Sequence, residues 1–273
     1  MFDVCVTLVN TKEKGQIIRS LETLLADSAV AGLTLAFVIV DNASADGVDE
    51  LAKRFPETRI LKQTRNEGFG KSHNLALKAV EAKYYFVLNP DTEFPANGNF
   101  LRRIFDFMEA NQKICIVGPK IVYPDGTLQY SCYRFPTFFQ PIYSRTRFGQ
   151  HGRGKRISEW FLMKDFNHLE TRPVDWIMGS AMFVRGKAIN QVGGFDDRFW
   201  MYAEDSDWCR RMWQAGWAVY YFPEAKIFHV KGQASAKTPG VVRAILFNRY
   251  TRVHIWSWLK YFWKWRGNHK FYR

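Results

Sequence analysis

The chain has no apolar run long enough to span a bilayer. Its strongest, LTLAFVIV at 33–40, falls far short of the roughly 20 residues that a crossing helix needs. The opening MFDVCVTLVN has neither the basic start nor the long apolar core of a secretory leader, so none is expected. Cysteine is scarce: Cys5, Cys115, Cys132 and Cys209 are scattered with no CxxC pair. That argues against a zinc site and a disulfide framework, and leaves reduced thiols as the expectation. No GxGxxG follows the first apolar strand pattern, where LVNTKEKG stands instead, which argues against a Rossmann dehydrogenase. Acid is thin in two places. Residues 126–158 contain none, and none follows Glu224, against eleven Lys and Arg beyond it.

What is present is basic and apolar. A net charge of +13 over 273 residues points to anionic partners: nucleic acid, an anionic membrane face, or phosphorylated ligands. A nucleic-acid binder would show a helix-turn-helix or base-stacking motif, and neither is found. Apolar residues make up 47%, enough for a sizeable core.

The first 120 residues alternate between strand and helix patterns. VCVTLV (4–9), LAFVIVD (35–41), RILKQ (59–63) and YYFVLNPD (84–91) read as strands. IIRSLETLLA (17–26), DGVDELAKRF (46–55) and GKSHNLALKAVEA (70–82) read as helices. This spacing predicts an α/β fold with a mostly parallel sheet flanked by helices, and ligands in such sheets sit at the carboxyl ends of the strands. Asp41 and Asp91 fall at two of those ends. The acid-free stretch 126–158 reads either as a mobile basic segment over a site or as a solvated loop. VDWIMGSAMFVR (174–185) reads as a turn and strand, EDSDWCRRMWQAGW (204–217) as a helix stopped by Gly216, and AVYYFPEAKIFHV (218–230) as a strand.

Five stretches carry candidate chemistry. In VLNPDTE (87–93) a strand delivers Asp91 to its tip; either it helps hold a hard cation or the segment is a simple Asn-Pro-Asp turn. In VDNASADG (40–47) Asp41 is placed to accept from a base or ribose, while Ser44 or Asp46 is placed to cap the next helix. RNEGFGKSHN (65–74) puts Gly68 and Gly70 before a helix, a pattern that suits phosphate. GGFDDRFWMYAED (193–205) ends on adjacent acids. Asp207 and Arg211 make an i, i+4 pair at a helix start, but Glu204 and Asp205 repel one another, which raises a carboxyl pKa towards a working base. FHVKGQAS (228–235) places His229 at a strand end, with Lys231, Gly232 and Ser235 after it.

In this order the five stretches resemble the family 2 glycosyltransferases of the GT-A fold, over about residues 3 to 236. VDWIMGSAMFVR and GGFDDRFWMYAEDSDWCRR are similar to the bacterial rhamnosyltransferase branch that builds cell-surface polysaccharide such as O-antigen, capsule or cell wall. The resemblance implies that Thr7, Asp41, Asn66, Gly68, Gly70 and Asn89 line the nucleotide sugar. Asp91 and His229 would hold Mg²⁺ or Mn²⁺. Trp176, Gly179 and Ser180 would lie on the acceptor side. Asp205 would be the catalytic base, supported by Glu204. Asn89 departs from the family pattern, standing where the first acid of the DxD motif is usual. The implied reaction is an inverting transfer of L-rhamnose from dTDP-L-rhamnose, or of a hexose from a UDP-sugar, to a glycan or polyprenyl-diphosphate-linked acceptor. A non-catalytic sugar-nucleotide-binding relative is the alternative.

The expected organisation is a transferase domain over 1–240, with a nucleotide half to 120 and an acceptor half from 121, then a basic aromatic tail over 241–273. Read at 100° per residue, Phe247, Ile255, Trp258, Phe262 and Trp265 share one face of a tail helix. Arg249, Arg252, Lys260 and Lys264 take the other. That pattern suits the interface of an anionic membrane, so the expectation is a cytoplasmic protein peripheral on the inner face of a bacterial plasma membrane. Packing of the aromatic face on the domain is the other reading.

Overall fold

A computed structural model describes residues 1–28, 32–145, 147–230 and 247–268. Its elements, in chain order, are β1 (Phe2–Asn10), α1 (Lys14–Ser28), β2 (Leu35–Asp41), α2 (Glu50–Arg54), β3 (Thr58–Lys62), α3 (Phe69–Ala79), β4 (Ala82–Leu88), β5 (Thr92–Glu93), α4 (Phe100–Ala110) and β6 (Ile114–Val122). Then come β7 (Leu128–Gln129), β8 (Cys132–Tyr133), α5 (Gln140–Arg145), α6 (Gly152–Phe161), β9 (Arg172–Pro173), β10 (Trp176–Ile177), β11 (Ala181–Arg185), α7 (Gly186–Val192), α8 (Glu204–Gln214), β12 (Ala218–His229) and α9 (Arg249–Lys264).

The main sheet runs β3-β2-β1-β4-β11-β6-β12-β5. The first four strands are mutually parallel, β11 is antiparallel to both β4 and β6, and β12 is again parallel to β6. The expected mostly parallel α/β sheet is therefore present, with β11 reversed in its middle. β1, β2 and β4 are apolar on both faces because both faces are covered. Val4, Val6, Leu8, Phe37, Ile39, Phe86 and Leu88 pack under α1 and α4. Cys5, Val9, Val38, Val40 and Val87, on the alternate positions, pack under α3, α7 and α8. Side chains two apart along a strand share a face, so one strand sequence feeds two cores. All four cysteines are buried and unpaired.

Four expectations need correction. The helix expected over 46–55 is confined to Glu50–Arg54, because Ala45 and Gly47 adopt positive φ. Ser44 and Asp46 do not cap it; Asp46 Oδ2 accepts from the Lys14 amide (3.2 Å), the first residue of α1. The acid-free stretch 126–158 is not a single loop, since it contains β7, β8, α5 and α6. The tail does form a helix, but its expected outward aromatic face is largely turned inward. Tyr261 and Trp265 are buried against Phe199, and Trp258 and Phe262 pack on Phe138 at ring-centroid distances of 4.7 and 5.3 Å. Lys264 also points inward, to Asp196 and Asp207 (2.6 Å each). Aromatic residues lie all around this helix, so periodicity alone did not tell which of them the domain covers. Residues 231–246, including Lys231, Gly232, Ser235 and the expected boundary at 240, lie outside the described residues.

Candidate active site

The parallel strands bring one rim together. β1 ends at Asn10 beside Asp41 at the end of β2, and β4 ends just before Asn89-Pro90-Asp91. Since β11 is antiparallel to β4, its start lies at the same rim, and the Asn89 amide donates to the Ser180 carbonyl (2.9 Å). The end of β12 joins them: His229 pairs with Thr92, and the Val230 amide donates to the Asp91 carbonyl (2.9 Å).

The β1–β2–α3 side of the rim is a network of polar groups that bond one another. Asn10 was not singled out from the sequence, yet it organises this side. Its Nδ2 donates to Asp41 Oδ1 (3.1 Å), Ser44 Oγ (2.8 Å) and Asp46 Oδ1 (2.8 Å). Its position at the end of β1, matching Asp41 at the end of β2, was the available signal. Burial works against ionised Asp46, but hydrogen bonds from Ser44, Asn10 and the Lys14 amide hold its pKa below the usual value. Thr7 lies three residues inside the rim, fully buried, with its hydroxyl bonded to His73 Nδ1 (2.9 Å). Burial pushes His73 down to about 3, so it is neutral.

The two glycines do not form a vacant phosphate cradle. A Cβ at Gly68, where φ is +88°, would lie 2.0 Å from the Trp200 carbonyl oxygen, and one at Gly70 would lie 2.9 Å from Phe195 Cβ. The donors entering α3 are already used. The Glu67 amide bonds Asn42 Oδ1 (2.9 Å), the Gly68 amide bonds Asn66 Oδ1 (2.9 Å), and the Phe69 amide bonds the Trp200 carbonyl (2.8 Å). Lys71 is paired with Glu67 (2.7 Å). The glycines thus let α3 approach the 193–203 loop closely, a long-range contact that no local pattern displays.

The other side of the rim carries the acids. Tyr202 and Ala203, at φ 69° and 66°, turn the chain sharply into α8. Two successive non-glycine residues in the left-handed region cost energy that the surroundings must supply. Here α9 supplies contacts: Tyr202 stacks on His254 (4.5 Å) and Ser257 Oγ donates to the Met201 carbonyl (2.7 Å). The turn sets three carboxylates in three different environments. Asp207 is fully buried and bonded to Arg211 Nε (2.9 Å), Lys264 Nζ (2.6 Å) and the Trp265 indole (3.0 Å). Glu204 is buried with Oε2 unpartnered; burial first, then the Asp205 charge, drives its pKa well above the carboxylate range. Asp205 accepts from the Gly179 amide (3.0 Å) and the Ser206 amide (2.8 Å), yet burial still lifts it to about 6. Because Ser180 bonds Asn89 and Gly179 bonds Asp205, the acid sits beside the tip of β4.

The remaining predicted residues gather here. Ser180 is buried with its hydroxyl unpartnered. Trp176 stacks on Tyr133 (4.4 Å) and donates to the Arg134 carbonyl (3.0 Å). His229 Nε2 faces Asp91 Oδ1 at 3.1 Å, while its Nδ1 lies 2.9 Å from the Gln129 amide oxygen. With Nδ1 donating to that oxygen, Nε2 either donates a proton to the Asp91 carboxylate or turns its lone pair to a cation held beside the two. A hard divalent ion takes a carboxylate and completes its shell with waters and phosphate oxygens, so the pair fits one. No cluster of three or more His, Cys, Asp or Glu suited to a metal occurs among the described residues.

Comparison with known proteins bears on this arrangement. Residues 3–167 match Glycosyl transferase family 2, and residues 86–267 match Glycosyl transferase family group 2. The chain is 28% identical over 240 residues to the N-acetylglucosaminyl-diphospho-decaprenol L-rhamnosyltransferase of Mycobacterium tuberculosis, covering 80% of this chain and 74% of that protein. It is 22% identical over 205 residues to the dTDP-rhamnosyl transferase RfbF of Shigella flexneri, covering 75% and 62%. Among solved structures, GalNAc-T7 with UDP, GalNAc and Mn²⁺ superposes with a TM-score of 0.63 at 13% identity. That match covers 98% of this chain but about half, 52%, of GalNAc-T7, and it shows the shared fold.

Proposed function

The chain belongs to glycosyl transferase family 2, a glycosyltransferase of the GT-A fold, and from that premise we propose that it carries out an inverting, metal-dependent transfer of L-rhamnose. The donor is dTDP-L-rhamnose and the acceptor a hydroxyl of a lipid-linked glycan in cell-surface polysaccharide synthesis. The observation that carries the reading is Asp205: a carboxylate lifted to about 6, oriented by two backbone amides, beside the strand tip bearing Asp91. A base is most effective when its pKa lies near the working pH.

In this reading the acceptor hydroxyl gives its proton to Asp205 as its oxygen bonds to the anomeric carbon. The bond from that carbon to the diphosphate breaks, and the nucleoside diphosphate leaves with the electron pair. Attack from the face opposite the leaving group inverts the centre. Glu204, held protonated, spares Asp205 a second negative charge. The Gly179 and Ser206 amides fix which lone pair of Asp205 meets the substrate. Asp91 and His229 are the residues to hold Mg²⁺ or Mn²⁺, and such an ion, when bound, offsets charge developing on the leaving diphosphate. Asp41, Asn66 and Asn89 form the nucleotide-sugar side, and Trp176, Gly179 and Ser180 the acceptor side. The rhamnosyl donor is supported by the names of the relatives above, and the cation by the Mn²⁺ in the GalNAc-T7 structure.

A donor screen tests this. Melting temperature is measured with and without Mn²⁺ against dTDP-L-rhamnose, UDP-hexoses and NAD, since a ligand that binds the folded state raises it. The expected result is a rise with dTDP-L-rhamnose that EDTA abolishes. A rise with a UDP-sugar alone would replace the donor. A rise with NAD alone would overturn the reading.

A further inference from the structure

Packing the tail helix on the domain leaves its opposite face in solvent, and that face is unusual. Trp256 and Trp263 are 65% and 70% exposed, and Leu259 is 40% exposed. At 100° per residue these three lie within an arc of about 60° that includes Arg252, and Arg249, Lys260 and Arg266 flank it within about 40°. All four cations are exposed. Arg266 lies over the Trp263 ring (4.0 Å), and the Lys260 ammonium rests on the Arg198 carbonyl (2.9 Å), which leaves its charge uncancelled. No acid follows Glu224 in the sequence. Phe138 packs on Trp258 and Phe262 of α9, and the residues near it in the chain, Phe139 and Ile142, are 58% and 42% exposed. Beyond Thr137 lies an open cleft lined by Arg153, Arg156 and Trp160.

We infer that this outward face of α9, with Phe139 and Ile142, is a docking surface for an anionic lipid bilayer. It is not the face that the periodicity of the sequence selects. Tryptophan settles at the level of the lipid headgroups, and interleaved cations are drawn to anionic lipid. A protein partner would ordinarily bury such rings in a core depleted of charge, whereas here Arg266 lies over the Trp263 ring and Trp256 stands four residues from both Arg252 and Lys260. No helix among the described residues is long and apolar enough to cross a membrane, so attachment is to the surface. The inner side of the same helix braces the turn into Glu204 and Asp205. Resting on the proposed function, this sets the acid pair one helix away from the plane where a lipid-linked acceptor arrives.

Vesicle flotation of the full chain tests the surface. Wild type is expected to float with phosphatidylglycerol-containing vesicles and not with pure phosphatidylcholine, and to be released by salt. Trp256→Ser with Trp263→Ser, both on exposed rings, is expected to lower the bound fraction by about tenfold or more. Leu75→Ser, at an exposed apolar residue on α3, is expected to float like wild type and controls for general stickiness. Equal flotation of the double variant, equal binding to uncharged vesicles, or no flotation of wild type would overturn the inference. So would a wild-type dimer that the double substitution dissolves, since the face would then join two copies. The nucleotide-sugar melting shift is read on the same proteins. A chain that keeps the shift but never floats loses the bilayer surface and retains the transferase reading; one that floats without any shift loses the reverse.

Discussion

The two sides of the rim handle polar groups in opposite ways. On the β1–β2–α3 side, Asn10, Asp41, Asn42, Ser44, Asp46 and Asn66 bond one another and the backbone. Asp46 is held below its usual pKa there. On the α8 side, Glu204 and Asp205 are left with burial and few donors, and both are raised. Two residues further along the same turn, Asp207 is given two cations and an indole. The difference separates carboxylates whose charge is met by hydrogen-bond donors from carboxyls that burial raises, and the proposed base is one of the latter. Satisfied carboxylates stay ionised and rigid, while a poorly satisfied one is close in energy to its protonated form.

The contrast can be broken from either side. The largest effect is expected at Gly68→Ala, which combines a positive φ with a Cβ driven into the Trp200 carbonyl. A stability loss of about 4 kcal/mol should appear in denaturant unfolding, together with loss of donor binding. Asp207→Asn removes the charge that two cations share and should cost about 3 kcal/mol. Its signature is release of the tail helix, read as faster amide exchange across 249–264. Asp205→Asn should leave stability and donor affinity nearly unchanged while lowering kcat on the order of 10² or more. A near-wild-type rate would remove Asp205 as the base.

Two smaller effects sharpen the comparison by pH. With Asp205 at about 6, and the base needed ionised, kcat/KM should fall about tenfold per unit below that pH and level off above it. Glu204 has a folded pKa above its unfolded value. Its contribution to stability is therefore present at acid pH and lost as pH rises through the folded value. Glu204→Gln should raise Tm by about 2–4 °C at pH 8, with the difference closing towards pH 4. A constant difference across that range would mean that Glu204 is not held protonated by its surroundings.

Much of this was legible before the structure. The strand–helix alternation to residue 120, the acids at strand tips, and a helix opening at Glu204 and closing before Gly216 all follow from local patterns. What local patterns left out shares one cause. At Gly68 and Gly70, local sequence shows that a side chain is absent, not that Trp200 and Phe195 fill the space. Ser44 and Asp46 looked like caps for the helix that follows them, but the packing of β2 against β1 put α1 and Asn10 nearer. Asp207 looked like one half of an i, i+4 pair, and the second cation came from 57 positions away.

By itself the sequence determined the periodicities: which segments are strands and helices, that the first sheet strands are buried on both faces, and that the tail is a basic, aromatic helix. Those follow from side chains a few residues apart along one backbone. Only the tertiary structure decided which acids are paired and which are left raised, why two glycines are needed, and which face of the tail helix meets solvent. Each of those depends on dielectric, distance and contact between segments remote in the chain, and such terms come into being only when the elements pack.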